Sequence, residues 1–265
     1  MSSECRLTHE QQAIIDWLND VADEGGVGTY PGGAEQFRRD LVQRLDALPL
    51  RVPGQATEVV TLFYSGPLGD QVRNCWMIAE SIGRESSGRV VTMGETLLGE
   101  LQNHVRFSEA LWCAVGADHA DLHAALTSGI RADINRVESF WERAGRRLAM
   151  LTNGVRADGN RDESLWERAS RRLALAAVGD VRTLSPCAVD DRLFAQVELP
   201  QLLKNPQVTH INGAPVEAYR HIYEATPGAI PDKLSAVNQA VQASSYELTR
   251  EMRWREDAPR GGGTE

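Results

Sequence analysis

Between residues 9 and 22 the apolar side chains Ile14, Ile15, Trp17, Leu18 and Val21 recur among polar ones at helical spacing, which predicts one amphipathic helix. The glycine-rich run GGVGTYPGG then ends it. With no strand before it and no dinucleotide-fingerprint spacing, that run reads as a linker rather than a phosphate cradle. Phe37, Leu41, Leu45 and Leu48 mark the inward side of a second helix over 34–48. The segment EVVTLFY at 58–64 is rich in β-branched and aromatic residues and predicts a strand, after which Ser65, Gly66 and Pro67 turn the chain into a helix reaching Ile82. Arg89 to Met93 is a further extended segment. Helix is expected from about Glu95 through Asn103, and again from Glu109 to Leu126.

A tandem duplication follows. RADINRVESFWERAGRRLAMLTNG, from Arg131, recurs as RADGNRDESLWERASRRLALAAVG from Arg156. Two units are too few for a solenoid, so one copy is taken as the ancestral helix and the other as an insertion beside it. In the second copy Leu165, Ala169, Leu173 and Ala176 form one stripe, Trp166 and Ser170 lie together on an adjacent face, and the arginines at 168, 171 and 172 are assigned to solvent. Strands are expected over 180–184, over 194–199 and over 208–211, and helices over 216–223 and 234–254. In the middle strand Ala195, Val197 and Leu199 alternate with Phe194, Gln196 and Glu198. Pro200 would stop it, leaving Glu198 at its C-terminal end, where open α/β sheets bind ligands. On spacing alone, the plainer reading of Glu198 is a solvated glutamate on a half-buried strand.

Composition narrows the classes. The chain has 265 residues, 42% hydrophobic and 25% charged, as a folded domain does. A net charge of −9 argues against a nucleic-acid partner, which needs a basic surface. No apolar run approaches the roughly 20 residues that span a bilayer, and no signal-peptide pattern opens the sequence. Cys5, Cys75, Cys113 and Cys187 are scattered, which fits reduced thiols and a cytoplasmic protein, or one delivered into a target cell. His119 and His123, four apart, would share a helix face as half a metal site, but with no third ligand in view two exposed helix histidines are the simpler reading.

Five separated segments resemble, in order, those of the ADP-ribosyl cyclases. LFYSG at 62–66 resembles their LFWSG, and GETLLG at 94–99 their EDTLLG. LWC at 111–113 resembles their tryptophan-cysteine-glycine segment, with Ala114 in place of the glycine. ESFW at 138–141 or ESLWERASRR at 163–172 resembles their FW helix, and LFAQVELPQL their FFGxxELPxL. The stretch from Val59 to Asn212 is covered.

The resemblance implies an α/β fold, with a mostly helical N-terminal subdomain and a C-terminal parallel-sheet subdomain, binding NAD between them. Residues 1–33 would be an extension and 34–255 the catalytic domain, with its helical part at 34–130, the duplicated helix at 131–179 and the sheet part at 180–255; 256–265 would be a disordered tail. It implies cleavage of the nicotinamide–ribose bond, with Glu198 stabilising the oxocarbenium-like intermediate. Trp166 and Tyr64 would stack on nicotinamide, Ser65 and Ser170 would bond ribose or phosphate, and Phe194 matches an aromatic near the glutamate. The family's paired acids read Gly94-Glu95 here, so Glu95 is the second catalytic candidate, and hydrolysis ranks ahead of cyclisation. Trp166 is preferred to Trp141 for its spacing from Glu198. No cofactor or metal is implied, NAD being the substrate. A toxin of this kind would require an immunity partner, and a binding module that holds NAD or ADP-ribose without turnover is the alternative.

Overall fold

The computed structural model describes residues 7–50, 60–64, 75–86, 89–127, 164–184 and 193–256. The turn at 65–67, the first repeat copy with Trp141, and all of the tail expected at 256–265 but Glu256, which ends a helix, lie outside them. The chain divides into two compact units, 1–53 with 94–169 and 54–93 with 170–265. The division falls inside one helix, with Ala169 in the first unit and Ser170 in the second.

The first unit is helical. Helix α1 (His9–Asp23) starts from a reciprocal cap: the Thr8 hydroxyl accepts from the Gln11 backbone, and the Gln11 side chain accepts from the Thr8 N–H. Gln11 is itself buried and donates to the Leu97 carbonyl at 2.7 Å. Ile14, Ile15, Leu18 and Val21 fill the core side of α1. The glycine run is packed rather than loose. Val27 N–H donates to the Ala114 carbonyl at 2.8 Å, and a Cβ on Gly26 (φ +76) would stand 2.8 Å from that oxygen.

Helix α2 (Gly33–Ala47) buries Phe37, Leu41 and Leu45, with Leu48 just beyond also buried. Phe37 stacks on Trp17, whose ring lies under the Arg44 guanidinium. Helix α3 (Cys75–Glu85) belongs to the second unit. Thr96 caps α4 (Leu97–Asn103), and α5 (Val105–Val115) follows. The single helix expected over 109–126 is broken at Gly116 (φ +76), and α6 (Ala120–Thr127) begins only after a 3₁₀ turn at Ala117–His119.

In α7 (Leu165–Ala176), Leu165, Ala169 and Leu173 are buried as expected, but Ala176 is exposed. Arg168 is not simply solvated, since its guanidinium forks onto the Asp46 carboxylate.

The second unit is built on a sheet in the order β2-β1-β3-β4-β5, comprising β1 (Val60–Tyr64), β2 (Val90–Val91), β3 (Gly179–Leu184), β4 (Val208–Ile211) and β5 (Ala214–Pro215). The first four pair in parallel and β5 is antiparallel. Two of the strands thus come from the N-terminal half of the sequence. The chain leaves β1 for β2 on one side and later returns to β3 on the other. The order therefore reverses between β1 and β3, where Tyr64 and Leu184 pair at the C-terminal ends. Such switch points are where open α/β sheets carry ligands.

The strand expected over 194–199 does not form. Phe194–Glu198 is a π-helical turn, with Leu199 N–H reaching the Phe194 carbonyl five residues back, and it runs into α8 (Leu199–Lys204). Phe194, Ala195, Glu198, Leu199 and Leu202 are buried while Gln196 is exposed, which is helical spacing. Pro200 falls in the first turn of α8, where a missing N–H costs least, and the wide turn before it relieves the ring's crowding of the preceding carbonyls.

Asn212 and Gly213, both at positive φ, make the β4–β5 hairpin. The Asn212 side chain acts as a short extra strand: its Oδ1 accepts from Thr183 N–H and its Nδ2 donates to Thr183 Oγ1, both at 2.8 Å. Helix α9 (Val216–Ala225) and the long α10 (Ile230–Glu256) complete the unit, α10 burying Val237, Asn238, Val241 and Gln242. Replacing Asn212 by Ala removes both bonds and puts a Cβ without compensation at positive φ; we expect a loss of roughly 2–4 kcal/mol in urea unfolding at pH 7. A loss below about 0.5 kcal/mol would mean that this side chain does not hold the hairpin to β3.

Candidate functional site

In the second unit, Glu198 ends the π turn and is 4% exposed, while Ser170, on α7, is fully buried. The two side chains are neighbours: the Ser170 hydroxyl favours the charged form of the carboxyl. They do not align as a full hydrogen bond, and Ser170 Oγ and Glu198 Oε2 both lack a partner among the described residues. Burial dominates and pushes the Glu198 carboxyl up to about 8, with Ser170 opposing it. At neutral pH the free protein therefore carries mostly the uncharged acid. Buried polar atoms almost always find partners, so two orphans side by side make this pair the candidate site.

The π turn is held from the sheet side. Phe194 is 1% exposed and its ring meets Phe63 with centroids 6.3 Å apart. Phe63 is the residue that sequence reasoning missed; the alternation within LFY carried the signal, because neighbouring residues of a strand face opposite ways. Tyr64 consequently does not join Phe194. It packs with Leu62, Leu184, Cys75 and Ala79 on the other face of the sheet, although its position at the end of β1 is the switch point itself. Phe194 is sealed in the core and seats the turn that carries Glu198.

Trp166 is buried, one helical turn before Ser170 on α7, and it counts with the first unit, as does Glu95, half-buried at the end of the 3₁₀ turn Met93–Glu95. Ser65 lies outside the described residues. His119 and His123 do not share a continuous helix, since His119 sits in the turn before α6. His123 is not exposed either. It lies edge-on to Trp112 at 4.6 Å, and burial lowers it to about 4, so it is neutral. Among the described residues no group of three or more His, Cys, Asp or Glu is placed to hold a metal ion, and no helix is long and apolar enough to cross a membrane.

No family model, curated protein or solved structure matches this chain. A carboxyl buried beside an unpaired hydroxyl, with no charged side chain among the described residues acting on it, can donate a hydrogen bond while neutral. Once ionised, it can hold a positive charge in a low-dielectric site, where that attraction is far stronger than in water.

Titration of Glu198 also makes stability depend on pH. Between its unfolded value near 4.5 and its folded value of about 8, the native state keeps a proton that the unfolded chain gives up, so rising pH destabilises the fold. Glu198→Gln removes that term. The variant should gain on the wild type as pH rises from about 5 to about 8, on the order of 1.4 kcal/mol per unit at most, and no further above. A stability difference independent of pH in urea unfolding would show that Glu198 is ionised throughout.

Proposed function

We propose that this protein cleaves the nicotinamide–ribose bond of NAD, with Glu198 as the carboxylate that faces the ribosyl cation left behind. The observation that carries the reading is the buried, half-unpaired carboxyl of Glu198 beside Ser170, in the segment whose ELP motif resembles that of the ADP-ribosyl cyclases. Loss of neutral nicotinamide leaves positive charge shared between the anomeric carbon and the ring oxygen. An ionised Glu198 lowers the energy of that state more than that of the bound dinucleotide, in which the charge lies on the pyridinium ring and farther from it. Ser170 for the ribose, and Trp166 and Tyr64 for the nicotinamide ring, are assignments resting on the sequence resemblance. Hydrolysis to ADP-ribose is ranked ahead of cyclisation, because Gly94 leaves only Glu95 of the paired acids.

A second reading is favoured by the same burial. A carboxyl that stays protonated offers a hydrogen bond but no negative charge, as suits a module that binds NAD or ADP-ribose without turnover.

Chromatography of purified protein incubated with NAD separates the two. We expect nicotinamide and ADP-ribose, with kcat/KM rising with pH toward a plateau above about 8 as Glu198 ionises in the free protein. Glu198→Gln should lower turnover roughly 10²- to 10³-fold while leaving binding nearly intact. Binding without nicotinamide release at any pH would establish the second reading, and equal turnover by both proteins would remove Glu198 from the mechanism.

A further inference from the structure

Ser170 and Glu198 sit on two elements whose far ends are tied together by a buried side chain. Asn205 directly follows α8, and its Nδ2 donates to three carbonyls where α7 ends: Ala174 at 3.0 Å, Leu175 at 3.1 Å and Ala177 at 2.9 Å. The last carbonyls of a helix have no partner within it, and the last turn of α7 carries no basic residue, so Asn205 caps that helix from another element. Asn205 is itself held on every side. Its N–H donates to the Gln201 carbonyl at 2.9 Å, its Oδ1 accepts from the Gln207 N–H at 2.9 Å, and its carbonyl accepts from the Arg220 guanidinium at 3.1 Å. The same guanidinium donates to the Leu203 carbonyl at 2.8 Å, fixing the end of α8.

Helical spacing carries this tie back to the candidate site. Leu202 and Asn205 follow Glu198 on one face of α8, and every member of that face is buried. On α7 the corresponding face is Ser170 and Ala174, with Ala177 just beyond the helix, again all buried. Asn205 bonds the carbonyls of Ala174 and Ala177. One turn back along α7 and two turns back along α8, the same faces present Ser170 and Glu198. All of these residues belong to the second unit.

We propose that Asn205 is a positioning residue of this site: by bonding the end of α7 from the end of α8, it fixes the height at which the Ser170 hydroxyl stands beside the Glu198 carboxyl. Functional groups have to be held to within about 0.5 Å by such supporting bonds. Phe194 seats the start of the π turn on β1, and Asn205 sets its continuation against α7. Asparagine suits the position because one amide offers donors to the carbonyls and an acceptor to Gln207, whereas aspartate would turn an anionic oxygen toward three carbonyls.

The test needs a reporter of the juxtaposition, and Ser170→Ala supplies one. The hydroxyl favours the charged form of Glu198, so removing it raises the Glu198 midpoint in carbon NMR of protein labelled at the glutamate carboxyl carbon. We expect that upward shift in the otherwise wild-type chain, its loss when Asn205→Ala is also present, and its survival beside Asn212→Ala, which weakens the same unit at the β4–β5 hairpin. A cap that contributed stability alone would behave as Asn212→Ala does. Where Asn205→Ala does not fold, Asn205→Ser, with a single donor, is read in the same way. An equal shift with and without Asn205, no shift in the otherwise wild-type chain, or a shift lost equally beside Asn212→Ala would overturn the proposal. No substrate enters the experiment, so its failure and that of the enzymatic reading are separable. NAD cleavage with equal shifts leaves the function standing and removes this inference, while coupling that depends on Asn205 without NAD cleavage does the reverse.

Discussion

Taking a carboxyl group out of water while leaving one of its oxygens without a partner is among the costlier things a fold can do, and this chain does it at Glu198. The penalty is met by keeping the proton on, which removes the charge but leaves an oxygen with nothing to bond. In a purely structural core an apolar residue of similar size would pack there at less cost, which makes Glu198 the candidate site residue. The surrounding architecture can be understood as what is required to keep Glu198 in this state.

That architecture begins with a proline. Pro200 has no N–H to continue a helix through Glu198, and the chain answers with a wide π turn that passes from Phe194 to Glu198 before regular α-helix resumes. Single π turns are uncommon and gather at functional sites, because they set a side chain off the ordinary helical register. Phe194, locked on Phe63, ties the turn to β1, the strand that borders the reversal of sheet order. From the other side, α7 presents Ser170, and Asn205 at the end of α8 donates to the Ala174 and Ala177 carbonyls at the end of α7. One buried asparagine thus joins the two helices that carry the paired orphans.

Much of this was legible in the sequence, and the failures have physical causes. Helices α1 and α2 were clear because their apolar faces repeat at helical spacing against water. Strands β1, β3 and β4 were clear because short β-branched runs have few other uses. The segment at 194–199 was misread because six residues that alternate by accident fit a strand as well as a helix; extending the window to Leu202 shows the helical stripe. Glu198 could be singled out by type and motif, but not its burial, which depends on packing among elements far apart in sequence. The partner of Phe194 was missed for a related reason. The aromatic that matched a motif, Tyr64, sits next to the one that the pleat turns inward, Phe63. The role of Asn212 as a side-chain extension of β3 leaves no local trace beyond an Asn-Gly pair.

The central claim is that Glu198 holds its proton at neutral pH in the free protein. Carbon NMR of protein labelled at the glutamate carboxyl carbon reads this directly, with the Glu198→Gln spectrum assigning the resonance. The account predicts a single carboxyl whose shift changes from that of the acid to that of the anion with a midpoint near 8. A Glu198 resonance that has already titrated in the ordinary carboxylate range, near 4, would contradict it.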